Sequence, residues 1–221
     1  MLSERVLFID GEAIVVDKPA GLPVDPSRDG ALSVVNHLES LRFGFQRRPL
    51  AVHRLDRDTS GCLLLARNPK AHKRFALAFE TGTVEKLYWA VLAGVPVDAG
   101  GTVEIALAKR STREAGWRMV PDPKGKAAIT DWSVIEVRDG RALVASRPRT
   151  GRTHQLRVHA AEGIGIPIAG DPVYGRAGGA MMLHARAIKM PRGTKPPVEA
   201  TALLPPSFLA AGFVEPVHAL A

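Results

Sequence analysis

Asp56 stands between two arginines in the segment His53-Arg54-Leu55-Asp56-Arg57-Asp58-Thr59-Ser60-Gly61, just ahead of the apolar run Cys62-Leu63-Leu64-Leu65-Ala66. Nearby guanidinium groups favour the charged form of a carboxyl, so this pattern suits an ionised aspartate aimed by a polar turn. Such a carboxylate can act as nucleophile or base, and the flanking cations can hold an anionic substrate beside it. The alternative is a surface turn in which Arg57 and Asp58 merely pair with each other. Local chemistry alone weighs the two readings equally, because structural ion-pair networks perturb carboxylates too.

A second polar constellation lies downstream: Arg147-Pro148-Arg149-Thr150-Gly151-Arg152-Thr153-His154-Gln155-Leu156-Arg157-Val158-His159. Arg147, Arg149, Arg152 and Arg157 crowd one short stretch and suit bidentate phosphate contacts. His53, His154, His159 and His184 lie in or near these two motifs. The thiol and carboxylate partners of a metal site are missing and arginines surround the imidazoles, so no metal is expected.

These residues need elements to position them. Residues 6–9 and 13–16 flank Asp10-Gly11 as a hairpin. The stretch Lys18-Pro19-Ala20-Gly21-Leu22-Pro23 is too rich in proline and glycine for regular structure. Ala31–Leu41 predicts a short amphipathic helix, and 42–50 a basic loop. Asp56 then lies on the loop entering a strand at 62–66, followed by a helix over Pro69–Thr81. Thr83–Val95, Ile129–Val137 and Leu143–Arg149 predict strands, and 96–128 an insertion or pair of long loops. Thr153 is the expected N-cap of a short helix ending near Gly163. Residues 183–190 predict a late strand and 196–221 a mixed tail. The pattern implies an α+β chain around a mixed, mainly antiparallel sheet.

Composition sets independent bounds. The chain has 221 residues, 46% of them hydrophobic, enough for a substantial core. No apolar run approaches the roughly 20 residues of a membrane span. The opening Met1-Leu2-Ser3-Glu4-Arg5 lacks a signal-peptide pattern, and the lone Cys62 cannot form an internal disulfide; a cytoplasmic protein is expected. A net charge of +8, carried by 30 basic residues, favours a polyanionic partner. A GC-rich genome would also enrich arginine and alanine, so charge alone does not decide.

The two motifs together resemble the RluA-type pseudouridine synthases, whose hallmarks are H-R-L-D-x-x-T-S-G followed by T-G-R-T-H-Q-[LI]-R. Asp17-Lys18-Pro19-Ala20-Gly21-Leu22-Pro23, Glu85-Lys86-Leu87-Tyr88-Trp89-Ala90-Val91-Leu92-Ala93-Gly94, Gly170-Asp171-Pro172-Val173-Tyr174-Gly175 and Leu183-His184-Ala185 fit the same family in the same order. The resemblance implies the pseudouridine synthase fold, with flanking helices and two lobes around a catalytic cleft. It also implies a single catalytic domain over 1–221, possibly as two sub-lobes, without a separate N-terminal RNA-binding module. The chain is expected to be a monomer that binds RNA, a stem-loop of tRNA or large-subunit rRNA.

Isomerising uridine breaks the N1–C1′ bond, turns the base and rejoins it through C5, which involves no net redox change and calls for no cofactor. The resemblance makes Asp56 the nucleophile, Arg157 the cation paired with it, and Tyr88 the active-site tyrosine that stacks on the base. Arg54 matches the residue that fills the space left by a flipped base. Arg152 would meet a phosphate or the turn backbone, while His53, Thr59, His154 and Gln155 complete the substrate-binding set. Asp58 is assigned to capping or pairing in the Thr59-Ser60 turn. Two alternatives from other classes are a catalytically silent RNA-binding or ribosome-assembly factor, and a hydrolase using Asp56 covalently. Retention of Asp56, Tyr88 and Arg157 together argues against the first. The second would need a further carboxylate or a metal beyond Asp58.

Overall fold

The structure, a computed structural model, describes residues 1–26, 30–113 and 116–215. Strands β1 (Val6–Ile9) and β2 (Ala13–Lys18) are followed by helix α1 (Val34–His37), β3 (Leu50–Ala51), β4 (Ser60–Ala66) and helix α2 (Pro69–Glu80). Next come β5 (Glu85–Leu92), β6 (Gly100–Glu104), β7 (Leu107–Thr112), β8 (Gly116–Pro121), β9 (Ile129–Arg138) and β10 (Arg141–Pro148). Helix α3 (Gln155–Val158), β11 (Leu183–Arg192), β12 (Lys195–Thr201) and α4 (Pro206–Ala210) complete the described chain. Two compact units emerge: Met1–Lys86 with His184–Leu203, and Leu87–Leu183 with Leu204–Ala221.

In the first unit β4 is buried along its whole length, which its unbroken small and apolar sequence allows. β2 pairs with it antiparallel, and β11 parallel through His184 opposite Ser60 and Ala185 opposite Gly61. That last pairing explains the glycine ending the Asp56 segment. A Cβ on Gly61 would lie 2.2 Å from the Ala185 carbonyl oxygen, and its φ of +104° disfavours any side chain. Asp10 closes the β1–β2 hairpin by accepting the Glu12 and Ala13 N–H groups on Oδ1. α2 begins at Asn68, whose Oδ1 accepts the Ala71 N–H at 2.8 Å, with Pro69 in the first turn where its missing N–H is harmless. Its Ala71 and Phe75 pack with Cys62 and Leu64.

The second unit is an antiparallel sheet in the order β5-β10-β9-β6, with Trp89, Leu143 and Phe208 in its core. β7 and β8 form a separate two-stranded ribbon. Strands thus occupy much of 96–128, where the sequence suggests loops. β7 and β8 escape a periodicity test because most of their residues are exposed and polar on both faces.

Two other expectations need correction. The helix expected over Ala31–Leu41 starts only at Val34, behind Ser33, and tightens to a 3₁₀ turn at Leu38–Leu41. The helix expected to be capped by Thr153 is capped instead by His154, held at φ +53° in the left-handed region. After one turn it widens to a π-type turn over His159–Ile164. Gly163 lets that turn sit on β6, since a Cβ there would lie 2.4 Å from Val103 Cγ1. Part of the expected 196–221 tail is the edge strand β12 and the short helix α4, while 216–221 fall outside the described residues. Among the described residues no helix is long and apolar enough to cross a membrane.

Candidate active site

Asp56 sits on a turn closed by the Thr59 N–H donating to its carbonyl oxygen at 3.2 Å. Thr59 is buried and anchors the turn at the entrance of β4. The flanking arginines do not close on Asp56 as the sequence suggests. Arg57 Nε donates to the Gly21 carbonyl at 3.2 Å, and Arg54 reaches Asp25 at 3.5 Å. Arg57 therefore leaves Asp58 as well as Asp56. The charge acting on both aspartates from within this unit is Lys18, which is completely buried. Its Nζ donates to the carbonyls of Pro19, Leu22 and Arg57 at 3.0, 2.7 and 2.9 Å, using all three donors. The Gly21 N–H adds a 2.9 Å bond to the Arg57 carbonyl. Burial pushes the Lys18 ammonium down to about 8, against the pull of Asp58, Asp56 and Asp17. The proline-rich segment after β2 is thus a clamp that fixes the Asp56 turn.

His53 serves the same scaffold. Its Nε2 accepts the Leu64 N–H at 2.9 Å, and its ring stacks on Phe79 with centroids 4.3 Å apart. Burial, and secondarily Lys86, drives its imidazole down to about 3, so it is a neutral acceptor that ties the turn to β4 and α2. Arg54, by contrast, is largely exposed, as is its partner Asp25, and the pair restrains it little.

In the second unit Arg157 is only 4% exposed and lies on α3. It meets Asp171 in a bidentate pair, Nε to Oδ2 and Nη2 to Oδ1, both 2.7 Å. Asp171 is fully buried and also accepts the Val173 and Tyr174 N–H groups on Oδ1, at 2.8 and 3.0 Å. Burial alone would raise its carboxyl, but the Arg157 hydrogen bond, the two backbone donors and the guanidinium charge hold it below the usual carboxylate range. The fork of Arg157 is therefore rigid and charged. Gln155 is buried and spends its amide on structure: Oε1 accepts from Thr150 Oγ1 and the Arg152 N–H, while Nε2 donates to the Ile129 carbonyl and Thr130 Oγ1. It fixes the turn ahead of α3. Arg152 extends along the surface with Nε on the Ala127 carbonyl at 3.0 Å.

His154 shares a 2.9 Å hydrogen bond through Nδ1 with the Tyr174 hydroxyl and lies against Trp117, centroids 4.9 Å apart. Tyr88 is partly buried on β5, opposite Ser146 of β10, with Trp89 on the other face of the strand. The imidazoles near the motifs are engaged with protein: His184 Nδ1 with Ser60, His159 Nδ1 with Thr130, both at 2.9 Å. No group of metal-type ligands forms among the described residues. Lys18, Asp171, Tyr174 and Trp117 receive no role from sequence alone. The first three lie in stretches that fit the family pattern, but their partners are visible only in three dimensions, and Trp117 carries no sequence signal.

A turn that presents a carboxylate and a helix that presents a rigid guanidinium, on a mainly antiparallel sheet with few helices, define an enzyme scaffold for an anionic substrate. The model of the RNA pseudouridylate synthase family matches residues 12–162. An uncharacterised RNA pseudouridine synthase of Zymomonas mobilis is 56% identical over 96% of this chain and 99% of its own length. Ribosomal large subunit pseudouridine synthase D of the same organism is 37% identical over 78% of this chain and 56% of that protein. The chain thus spans little more than half of that longer relative. The solved structure of human RNA pseudouridylate synthase domain containing 4 superposes with a TM-score of 0.80 at 27% identity, covering 95% of this chain and 92% of that one. The chain belongs to the RNA pseudouridylate synthase family, isomerases that convert uridine to pseudouridine within RNA.

Proposed function

We propose that this protein isomerises a uridine in a structured stem-loop of tRNA or large-subunit rRNA, with Asp56 as the nucleophile. The observation that carries the reading is the Asp56 turn, clamped from behind by three Lys18 hydrogen bonds and closed at its end by Thr59. A nucleophile that must meet one atom of an extruded nucleotide needs this kind of fixed backbone. Arg157 serves Asp56 as the counter-cation, with its fork preset by Asp171 so that little side-chain freedom is lost on engaging substrate. Tyr88 supplies a ring on which the base stacks. Exposed Arg54 is free to enter the gap the base leaves, and Arg152 stands at the surface for a phosphate. Large-subunit rRNA gains support from the relatives named as ribosomal large subunit enzymes.

The test uses Asp56→Asn, nearly isosteric but unable to act as nucleophile. Wild-type protein incubated with RNA from cells lacking the gene should form pseudouridine at a discrete position, mapped by chemical labelling. The variant should bind that RNA and form none. More than trace product from the variant would remove Asp56 from its assigned role. Binding by the wild type without product on any RNA would favour the silent binding factor.

A further inference from the structure

We infer that the β7–β8 ribbon is a phosphate clamp, which grips the backbone of the same RNA that carries the target uridine. This deepens the RNA-isomerase reading and rests on RNA being the substrate. In the ribbon Lys109 faces Met119, Arg110 faces Arg118 and Ser111 faces Trp117. Alternation gives the two faces different work. One carries Lys109, Trp117 and Met119 and is docked. Trp117 lies on the His154 ring, the Met119 N–H donates to the Tyr174 hydroxyl at 2.9 Å, and Lys109 Nζ stands 5.1 Å from the Trp117 ring centroid. The ribbon base is held by a two-way backbone bridge between Leu107 and Lys126.

The other face sets Arg110 directly opposite Arg118, both exposed. Among the described residues neither has a carboxylate partner. Like charges directly opposite on two strands destabilise a ribbon, and an isolated two-stranded ribbon has little stability to spare. The arrangement gains a reason if an anion sits between the two side chains. Guanidinium pairs recognise phosphate, and a net charge of +8 favours a polyphosphate chain over a lone anion. The docked face gives the clamp a fixed position. Trp117 leads to His154, His154 to Tyr174, and the Arg157 guanidinium lies 5.2 Å from the Tyr174 ring centroid. A phosphate held between Arg110 and Arg118 is thereby placed at a set distance from Arg157.

The experiment compares wild type with the double variant Arg110→Gln/Arg118→Gln. A control variant, Lys73→Gln/Lys189→Gln, loses the same charge from exposed positions of the first unit. The probe is a fluorescein-labelled RNA stem-loop with a uridine-rich loop, followed by anisotropy over a range of KCl concentrations. The clamp variant should bind about 10- to 100-fold more weakly, at roughly tenfold per lost phosphate contact. Its slope of log affinity against log salt should fall by about 1.4–1.8 for two phosphates. Its melting temperature should hold or rise, because the repulsion has gone; a merely structural pair would lower it. Wild-type affinity and slope in the clamp variant, or an equal loss in the control, would overturn the inference. If wild type forms no pseudouridine on any RNA yet the clamp variant still loses affinity selectively, the isomerase reading fails and the clamp stands. If wild type forms product and the clamp variant binds normally, the clamp fails and the isomerase reading stands.

Discussion

Replacing Asp171 by asparagine tests whether the Arg157 fork is preset. The wild-type carboxylate accepts four hydrogen bonds, two from Arg157 and two from the Val173 and Tyr174 N–H groups. The Oδ1 atom of an asparagine can keep the two backbone donors and the Arg157 Nη2. Its amide nitrogen would then face Arg157 Nε, donor against donor, and the buried arginine cannot shed its charge. Breaking one side of a buried pair costs about 3–5 kcal/mol. At about 2–4 °C per kcal/mol for a chain of this size, the melting temperature should drop by about 6–20 °C. Turnover should fall with it at temperatures where the variant is folded, because a mobile guanidinium no longer meets the reacting groups in one geometry.

The pH dependence gives an independent check on sign. The Asp171 carboxyl is lowered in the folded protein. Its contribution is therefore complete above the unfolded value of about 3.9, and fades as the pH falls through the folded one. Urea unfolding of wild type and variant should show a full stability gap at pH 7 that narrows below about pH 4. A variant within 1 kcal/mol of wild type at pH 7 with normal turnover would refute the reasoning. So would a gap that widened in acid.

Gly61→Ala should fail to give folded protein or lose about 3 kcal/mol or more, since a Cβ meets the Ala185 carbonyl at 2.2 Å in a left-handed backbone; soluble yield and urea midpoint report it. Arg54→Ala should lose rate on a natural stem-loop and recover part of it on one with an enlarged loop, where the uridine is already unstacked and the few kcal/mol of flipping are reduced. Single-turnover rates on both RNAs decide, and equal losses would assign Arg54 to the chemistry rather than to the vacated space.

How much of this was legible in the sequence depends on range. The hairpin at Asp10, the buried strand after Gly61 and helix α2 with its Asn68-Pro69 start follow from local signals, and the structure bears them out. The family motifs identify Asp56 and Arg157 as residues to watch. Their supports escape detection because each is long-range. Lys18 reaches the Arg57 carbonyl across 39 positions, and the Arg157–Asp171 pair spans 14. Nothing in the pattern Gly170-Asp171-Pro172 says which cation its aspartate meets. The β7–β8 ribbon is hidden for a different reason. It buries little apolar surface, so it leaves no period-two signature, and its strands show only through backbone pairing.

The buried cations explain how so irregular a chain stays ordered. Segments such as 19–23 and 42–46 cannot join a ladder, yet each of their buried carbonyls needs a donor. Lys18 supplies three of them. Arg67, which stacks on the Phe45 ring at 3.6 Å, supplies the carbonyls of Asp10, Arg42 and Phe43. Arg186 supplies the carbonyl of Ala202. These cations staple loops rather than face solvent, and Arg157 is bound to Asp171. The net charge of +8 therefore overstates the surface available to RNA, and part of the arginine richness is internal architecture. What remains outside is concentrated in Arg54, Arg152 and the opposed pair Arg110 and Arg118, all exposed. A salt-dependence measurement counts those contacts alone. The slope should match the few phosphates that these side chains reach and fall well short of what the total of 30 basic residues would suggest.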